Sequence, residues 1–141
     1  MKNLIRFFLF ALGVSIIFTN CQSDDEMDKI GTPFKIDYEF KTQVTDDLSI
    51  TFEAVTVDSR CPCEALCIWA GEIGVKIKME TNETALTKLF TLKGFEGDSG
   101  GIFETDFEGY HVKLKDVLPY PCNGEPNTNS DYSIEVLVTE I

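Results

Sequence analysis

Beyond residue 33, hydrophobic and polar positions alternate with a period of two through most of this chain. Phe34, Ile36, Tyr38 and Phe40 form one such run, and Leu48, Ile50 and Phe52 form the next. In that second run the phase slips at Ala54, so that Val55 and Val57 continue on the other parity; such a slip is the mark of a β-bulge. Ile73, Val75, Ile77 and Met79 alternate with Gly74, Lys76 and Lys78, and a shorter run covers Leu86 to Leu92. Tyr110, Val112 and Leu114 alternate with His111, Lys113 and Lys115, and Tyr132, Ile134, Val136 and Val138 close the chain. Successive side chains of a strand point to opposite faces, so each run predicts a strand with one buried face. About six strands follow, with a seventh at Ile102 to Phe107. Segments rich in Gly, Asp, Asn and Pro separate them at 93–101 and 118–131. No stretch carries a helical period, although Cys63 to Trp69 has room for one short helical turn, and no internal repeat is present. Many short alternating strands predict an all-β fold, an antiparallel β-sandwich or small barrel. The sandwich is the expectation, and Greek-key connections are compatible with it.

The first residues follow a different pattern. Lys2 and Arg6 precede a nearly unbroken apolar run from Phe7 to Phe18. A bilayer crossing takes ~20 apolar residues, so this shorter run predicts an export signal. The run passes through Thr19 and Asn20 into Cys21, and in this it resembles a bacterial lipoprotein signal. The resemblance implies cleavage before Cys21 and lipid, palmitate included, on that cysteine. Gln22-Ser23-Asp24-Asp25-Glu26 resembles the acidic tag that directs some Gram-negative lipoproteins to the outer face of the outer membrane. The chain then divides into a signal at 1–20, a lipidated Cys and acidic tether at 21–32, and a β-sandwich domain at 33–141.

Charge narrows the partners. The chain holds 24 acidic and 12 basic residues, a formal net charge of −12. Losing Lys2 and Arg6 with the signal leaves 24 against 10, or −14. Nucleic acid and anionic lipid are both held by Lys/Arg patches, so both are excluded as partners. Asp46, Asp47 and Asp98 offer oxygen ligands to calcium, but the EF-hand spacing with its central Gly and terminal Glu is absent. The expectation is no metal and no cofactor, with the acidity serving solubility.

About 120 residues after the signal suffice for one core, and small exported domains commonly add disulfides. Once Cys21 is assigned to lipid, Cys61, Cys63, Cys67 and Cys122 remain, an even number that points to two bridges. Three of them lie in the segment Asp58-Ser-Arg60-Cys61-Pro-Cys63-Glu-Ala-Leu-Cys67-Ile-Trp69-Ala-Gly-Glu72, a loop between two strands. This segment is similar to one in small uncharacterised exported bacterial proteins: Ser-Arg-Cys-Pro, four variable residues, Cys-Ile/Val-Trp-Ala-Gly and a strand. Leu114 to Pro121 and the strand from Tyr132 to Val138 resemble later parts of the same proteins. The resemblance implies membership of a family and no activity.

Pairing Cys61 with Cys63 would be strained. That leaves Cys61–Cys67 with Cys63–Cys122, and Trp69 packed beside them as core, or Cys63–Cys67 with Cys61–Cys122. For the first pairing, the chain-entropy relation assigns about 2.4 kcal/mol to the short ring and about 4.3 to the long one. The opposing reading is a thiol site for zinc or Cu(I) built on Cys-x-Cys-x₃-Cys, disfavoured by an oxidising compartment and by the absence of a nearby His.

Gly97-Asp98-Ser99-Gly100-Gly101 matches the string around the nucleophile of trypsin-like proteases, but the sole histidine, His111, follows Ser99, where that family has its His before the serine. The segment reads as a glycine-rich loop, His111 as an exposed strand residue, and Asn82-Glu83-Thr84 as a turn rather than a glycosylation site. No nucleophile–base set emerges, so no catalytic residue is assigned.

The leading expectation is a non-enzymatic, surface-displayed interaction or ligand-binding domain of an outer-membrane lipoprotein. Its partner would be a protein or glycan. Its contacts would lie in the loops at 58–71, 93–101 and 118–131, with Arg60, Trp69 and Tyr120 as the residue types that dominate interfaces. The alternatives are a protease-inhibitor-like domain presenting Arg60, or an enzyme using paired carboxylates or a thiol–metal site.

Overall fold

A computed structural model describes residues 29–69, 71–93, 101–122 and 127–141. The signal at 1–20, Cys21, the tether as far as residue 28, and the serine-protease-like string except Gly101 lie outside the described residues. Among those described there are eight strands: β1 (Phe34–Asp37), β2 (Lys41–Gln43), β3 (Ser49–Asp58), β4 (Glu72–Glu80), β5 (Ala85–Lys93), β6 (Glu104–Phe107), β7 (Tyr110–Leu118) and β8 (Ser133–Glu140). They form two four-stranded antiparallel sheets, β1-β8-β7-β6 and β2-β3-β4-β5, so the fold is all-β and a sandwich, not a closed barrel. One sheet is a meander, β2 to β5 in order; the other is a β6–β8 meander with β1 added beside β8.

Alternation places the core. Ile73, Val75, Ile77 and Met79 of β4 are all within 1% of complete burial, while Lys76 between them is exposed. Ile50, Phe52, Phe90, Val112, Leu114, Val117, Ile134, Val136 and Val138 join them in one apolar cluster. Burying each large side chain contributes roughly 1.5–3 kcal/mol. The cluster runs from Ile36 to Val138, so the folded body closes on itself within residues 29–141.

Three departures from strict alternation shape this body. The first run does not make one strand: Glu39 has φ +58°, the chain turns between β1 and β2, and Phe40 is left exposed. β3 holds two bulges, not one, between Phe52 and Ala54 and again between Val55 and Val57. The first brings Val55 opposite buried Val75; the second turns Val57 outward opposite Gly74 and brings Asp58 opposite buried Ile73. Val57 is thus exposed, contrary to its expected parity, and a carboxylate faces inward. In β7 a bulge between Leu114 and Asp116 lets Leu114 and Val117 both reach the core.

β5 is an outer strand, and there Lys88 lies opposite buried Ile77 on the inner face. Its Nζ donates to Thr105 Oγ1 on β6, the outer strand of the other sheet.

The chain enters beside Val138, where Ile30 bridges it and Gly31 N donates to its carbonyl. The opposite end of β8, at Ser133, pairs with Leu118, and Tyr132 just before it bonds to Asp58. The entry point and the described Tyr132–Asp58 contact therefore lie at opposite ends of the sandwich, separated by roughly 17 Å along β8 at the usual rise per residue.

Candidate interaction site

Asp58 ends β3 facing inward, and Arg60 turns back to meet it. Arg60 Nε donates to Asp58 Oδ1 at 2.9 Å and Nη2 to Oδ2 at 2.7 Å, a two-pronged pair. The same guanidinium donates to the carbonyls of Val117, near the end of β7, and Pro119, just past it. It also lies 4.5 Å from the centre of the Tyr120 ring. Tyr132 O–H donates to Asp58 Oδ2 at 2.8 Å. Asp116 Oδ1 accepts from Val117 N and, at 3.5 Å, from Tyr120 O–H. The side chains of Arg60 and Asp58 are only 6% and 10% exposed.

Two charges taken out of water cost several kcal/mol each unless paired and bonded. Here the Asp58–Arg60 pair is complete, and its spare donors are spent on carbonyls of the facing sheet. Burial alone would raise the Asp58 carboxyl, but the hydrogen bonds from Arg60 and Tyr132 overcome it and hold the group below the usual carboxylate range. Burial, reinforced by Asp58, pushes the Tyr132 hydroxyl up. Burial and Asp116 do the same to Tyr120.

On this clamp stands the cysteine loop. Its neck is closed by Ser59 N donating to the Glu72 carbonyl at 2.8 Å. Gly71 passes so close that an added Cβ would sit 1.9 Å from the Ser59 carbonyl oxygen, and its φ is +70°. Only glycine fits the end of the Trp-Ala-Gly string for both reasons. Cys61 is bonded to Cys67 and Cys63 to Cys122, with Cα separations of 5.9 and 4.6 Å. The second bond ties the β3–β4 loop of one sheet to the β7–β8 loop of the other. Cys61 is buried beneath the loop, and 62–69 are all exposed.

The expected site residues therefore part company. Arg60 is buried as a clamp, which removes it as a contact or as a protease-facing residue. Tyr120 is half-buried beneath it. Trp69 does not pack as core beside the disulfides: it is 73% exposed, with Leu66 at 105% and Ile68 at 95%. In place of the short helical turn expected at Cys63 to Trp69 there is a turn closed by Ala65 N on the Pro62 carbonyl; among the described residues the one 3₁₀ turn lies at Asn129–Asp131. Asp58, Tyr132, Leu66 and Ile68 were not marked by sequence. The clue available was that Arg60 sits two residues from an acid and next to a cysteine.

Elsewhere, His111 lies at the edge of exposure with Nδ1 2.7 Å from Asp106 and Nε2 3.7 Å from Glu104, which Lys113 also approaches. Asp47 Oδ1 accepts from the Asn82 amide and backbone N in the turn expected there. Among the described residues no group of three or more His, Cys, Asp or Glu is placed to hold a metal ion. No family model matches the chain, and no match was found among curated proteins or solved structures.

Proposed function

We propose that the protein is an outer-membrane lipoprotein, anchored through lipid on Cys21 and facing outward, whose sandwich is a non-enzymatic interaction domain with segment 62–69 as its contact surface. The observation that carries this reading is the exposure of Leu66, inside the Cys61–Cys67 ring, together with Ile68 and Trp69 directly after it. Large apolar side chains left in water cost free energy that burial elsewhere would recover, and contiguous exposure of this kind marks interaction sites. Ordering is already in place: the ring, the inter-loop disulfide and the Arg60 clamp fix the loop before any partner arrives, which lowers the entropy lost on binding. The position of Ile30 beside Val138 supports display, because a tether leaving there points the loop away from its anchor.

The test is a photo-crosslinker placed at Ile68 on intact cells, with Lys76 on the outer sheet face as the control. Adducts concentrated at Ile68 are expected, and equal yields at both positions would overturn the contact site. The anchor is tested separately. Cys21→Ser should leave the protein unlipidated and outside the membrane fraction, whereas wild-type mass and fractionation would exclude anchoring there.

A further inference from the structure

We infer that the surface met by segment 62–69 is the headgroup layer of an electrically neutral lipid bilayer, with Leu66 and Ile68 reaching the acyl boundary and Trp69 lying at headgroup depth. This rests on the contact-site reading above and names the partner's chemistry.

The shape and composition of the loop carry it. The segment is exposed at every position from Pro62 to Trp69, with Leu66 and Ile68 standing clear of the body, and Glu64 is its only charged residue. A protein pocket must match a projection in shape, whereas a fluid interface requires only that apolar side chains stand clear of the body. The three large residues are graded in the order such an interface sorts them. The aliphatic Leu66 and Ile68 are fully exposed, and Trp69 is less so. Aliphatic groups favour the hydrocarbon boundary, and tryptophan, apolar in body with one N–H donor, favours the headgroup level.

Backbone polar groups limit how deep irregular chain can go. In this loop the N–H groups of Cys63 and Ala65 are already bonded, to the Pro121 and Pro62 carbonyls. Charge selects the lipid: a chain of net charge −12 with no Lys or Arg in the segment is repelled by an anionic surface and indifferent to a neutral one.

Trp69 is the only tryptophan in the chain, so its emission reports the loop alone. The experiment mixes the folded body, residues 29–141, with phosphatidylcholine vesicles and follows tryptophan emission and co-sedimentation. Far-UV circular dichroism checks that each variant is folded. A blue shift that saturates with lipid is expected, together with quenching by brominated acyl chains. Leu66→Asp and Ile68→Asp should each lower the partition coefficient tenfold or more. Replacing a third of the lipid with phosphatidylglycerol should also weaken binding.

Emission unchanged at any lipid concentration overturns the assignment. So does a blue shift that appears on concentrating the protein without lipid, which would make the occupant a second copy. If vesicles fail while Ile68 still crosslinks to a protein on cells, the lipid assignment falls and the contact site stands. If Ile68 crosslinks no more than Lys76, both fall.

Discussion

The middle of the sandwich and its loop end join the same two sheets by different chemistry. In the middle, Phe52, Val75 and Phe90 meet Val112, Leu114 and Val136 in an apolar cluster whose members are almost wholly removed from water. At the loop end the joining groups are a carboxylate, a guanidinium, two phenols and a disulfide. Apolar contact is strong but without direction; it holds two layers together and leaves their rims free to settle. The bonds from Arg60 to the Val117 and Pro119 carbonyls are directional, so they fix where one loop sits relative to another. The sandwich is held by its middle, and its cysteine loop is aimed by its end.

That division can be broken at either end. The largest effect is expected from Cys63→Ser with Cys122→Ser, which opens the long covalent ring at a cost of about 4.3 kcal/mol in the chain-entropy relation. Urea unfolding should show the loss, and reductant should then remove no more than about 2.4 kcal/mol, the share of the remaining Cys61–Cys67 ring. Phe52→Ala should cost about 4 kcal/mol through lost transfer energy and a cavity. That loss should be the same in low and high salt and at any pH where the protein folds, since no charge is involved.

Arg60→Ala should cost about 3 kcal/mol or more, because it strands the Asp58 carboxylate in a buried site. Arg60→Lys should not restore it, since an ammonium cannot serve Asp58 and two carbonyls in one plane. Removing Asp58 as well should cost less than the two single losses added together, and strict additivity in that cycle would show that the pair does not act as a unit.

A smaller effect comes from acid. The Asp58 carboxyl is held below its unfolded value, so its contribution is complete above about pH 4, the unfolded range. It is lost as pH falls toward the folded-state value. Asp58→Asn should flatten the stability–pH curve below pH 4 relative to wild type, as read by urea midpoints across that range. Least of all, Trp69→Ser should change stability by no more than about 0.5 kcal/mol, as for any exposed substitution.

Much of the middle was legible from the chain, and little of the end was. Period-two runs predict strands because the pleat enforces that period, and the same rule puts the apolar residues from Ile73 to Met79 and from Ile134 to Val138 on the buried faces of their two sheets. The first bulge announced itself by the shift from Phe52 to Val55. The second did not, because Thr56 and Val57 suit either face of a strand. Arg60 resembled a surface contact because arginines are rarely buried. Its carbonyl partners lie 57 and 59 residues further on, and backbone carbonyls leave no trace in a sequence. Trp69 reads from the sequence both as core beside the disulfides and as a contact, because a large aromatic suits either place. Whether the loop that carries it folds over or stands clear depends on Gly71, Cys122 and the neck at Ser59 acting together. The disulfides could be narrowed to two pairings by strain, but choosing between them needs the two loops to be adjacent in space.

The inward placement of Lys88 bears on what happens when many copies are crowded together. An outer strand as long as β5, with Leu86 and Leu89 partly exposed, is a template on which another chain's strand can add, and repeated addition leads to fibrils. For two β5 strands to join their sheets into one continuous layer, the gap beside β6 would have to close over the Lys88 ammonium. It would then lose water with only the Thr105 hydroxyl in exchange. One lysine on the wrong face for a hydrophobic core thus acts as a gatekeeper. It sets a desolvation cost against edge-to-edge addition at β5 that an apolar residue there would not.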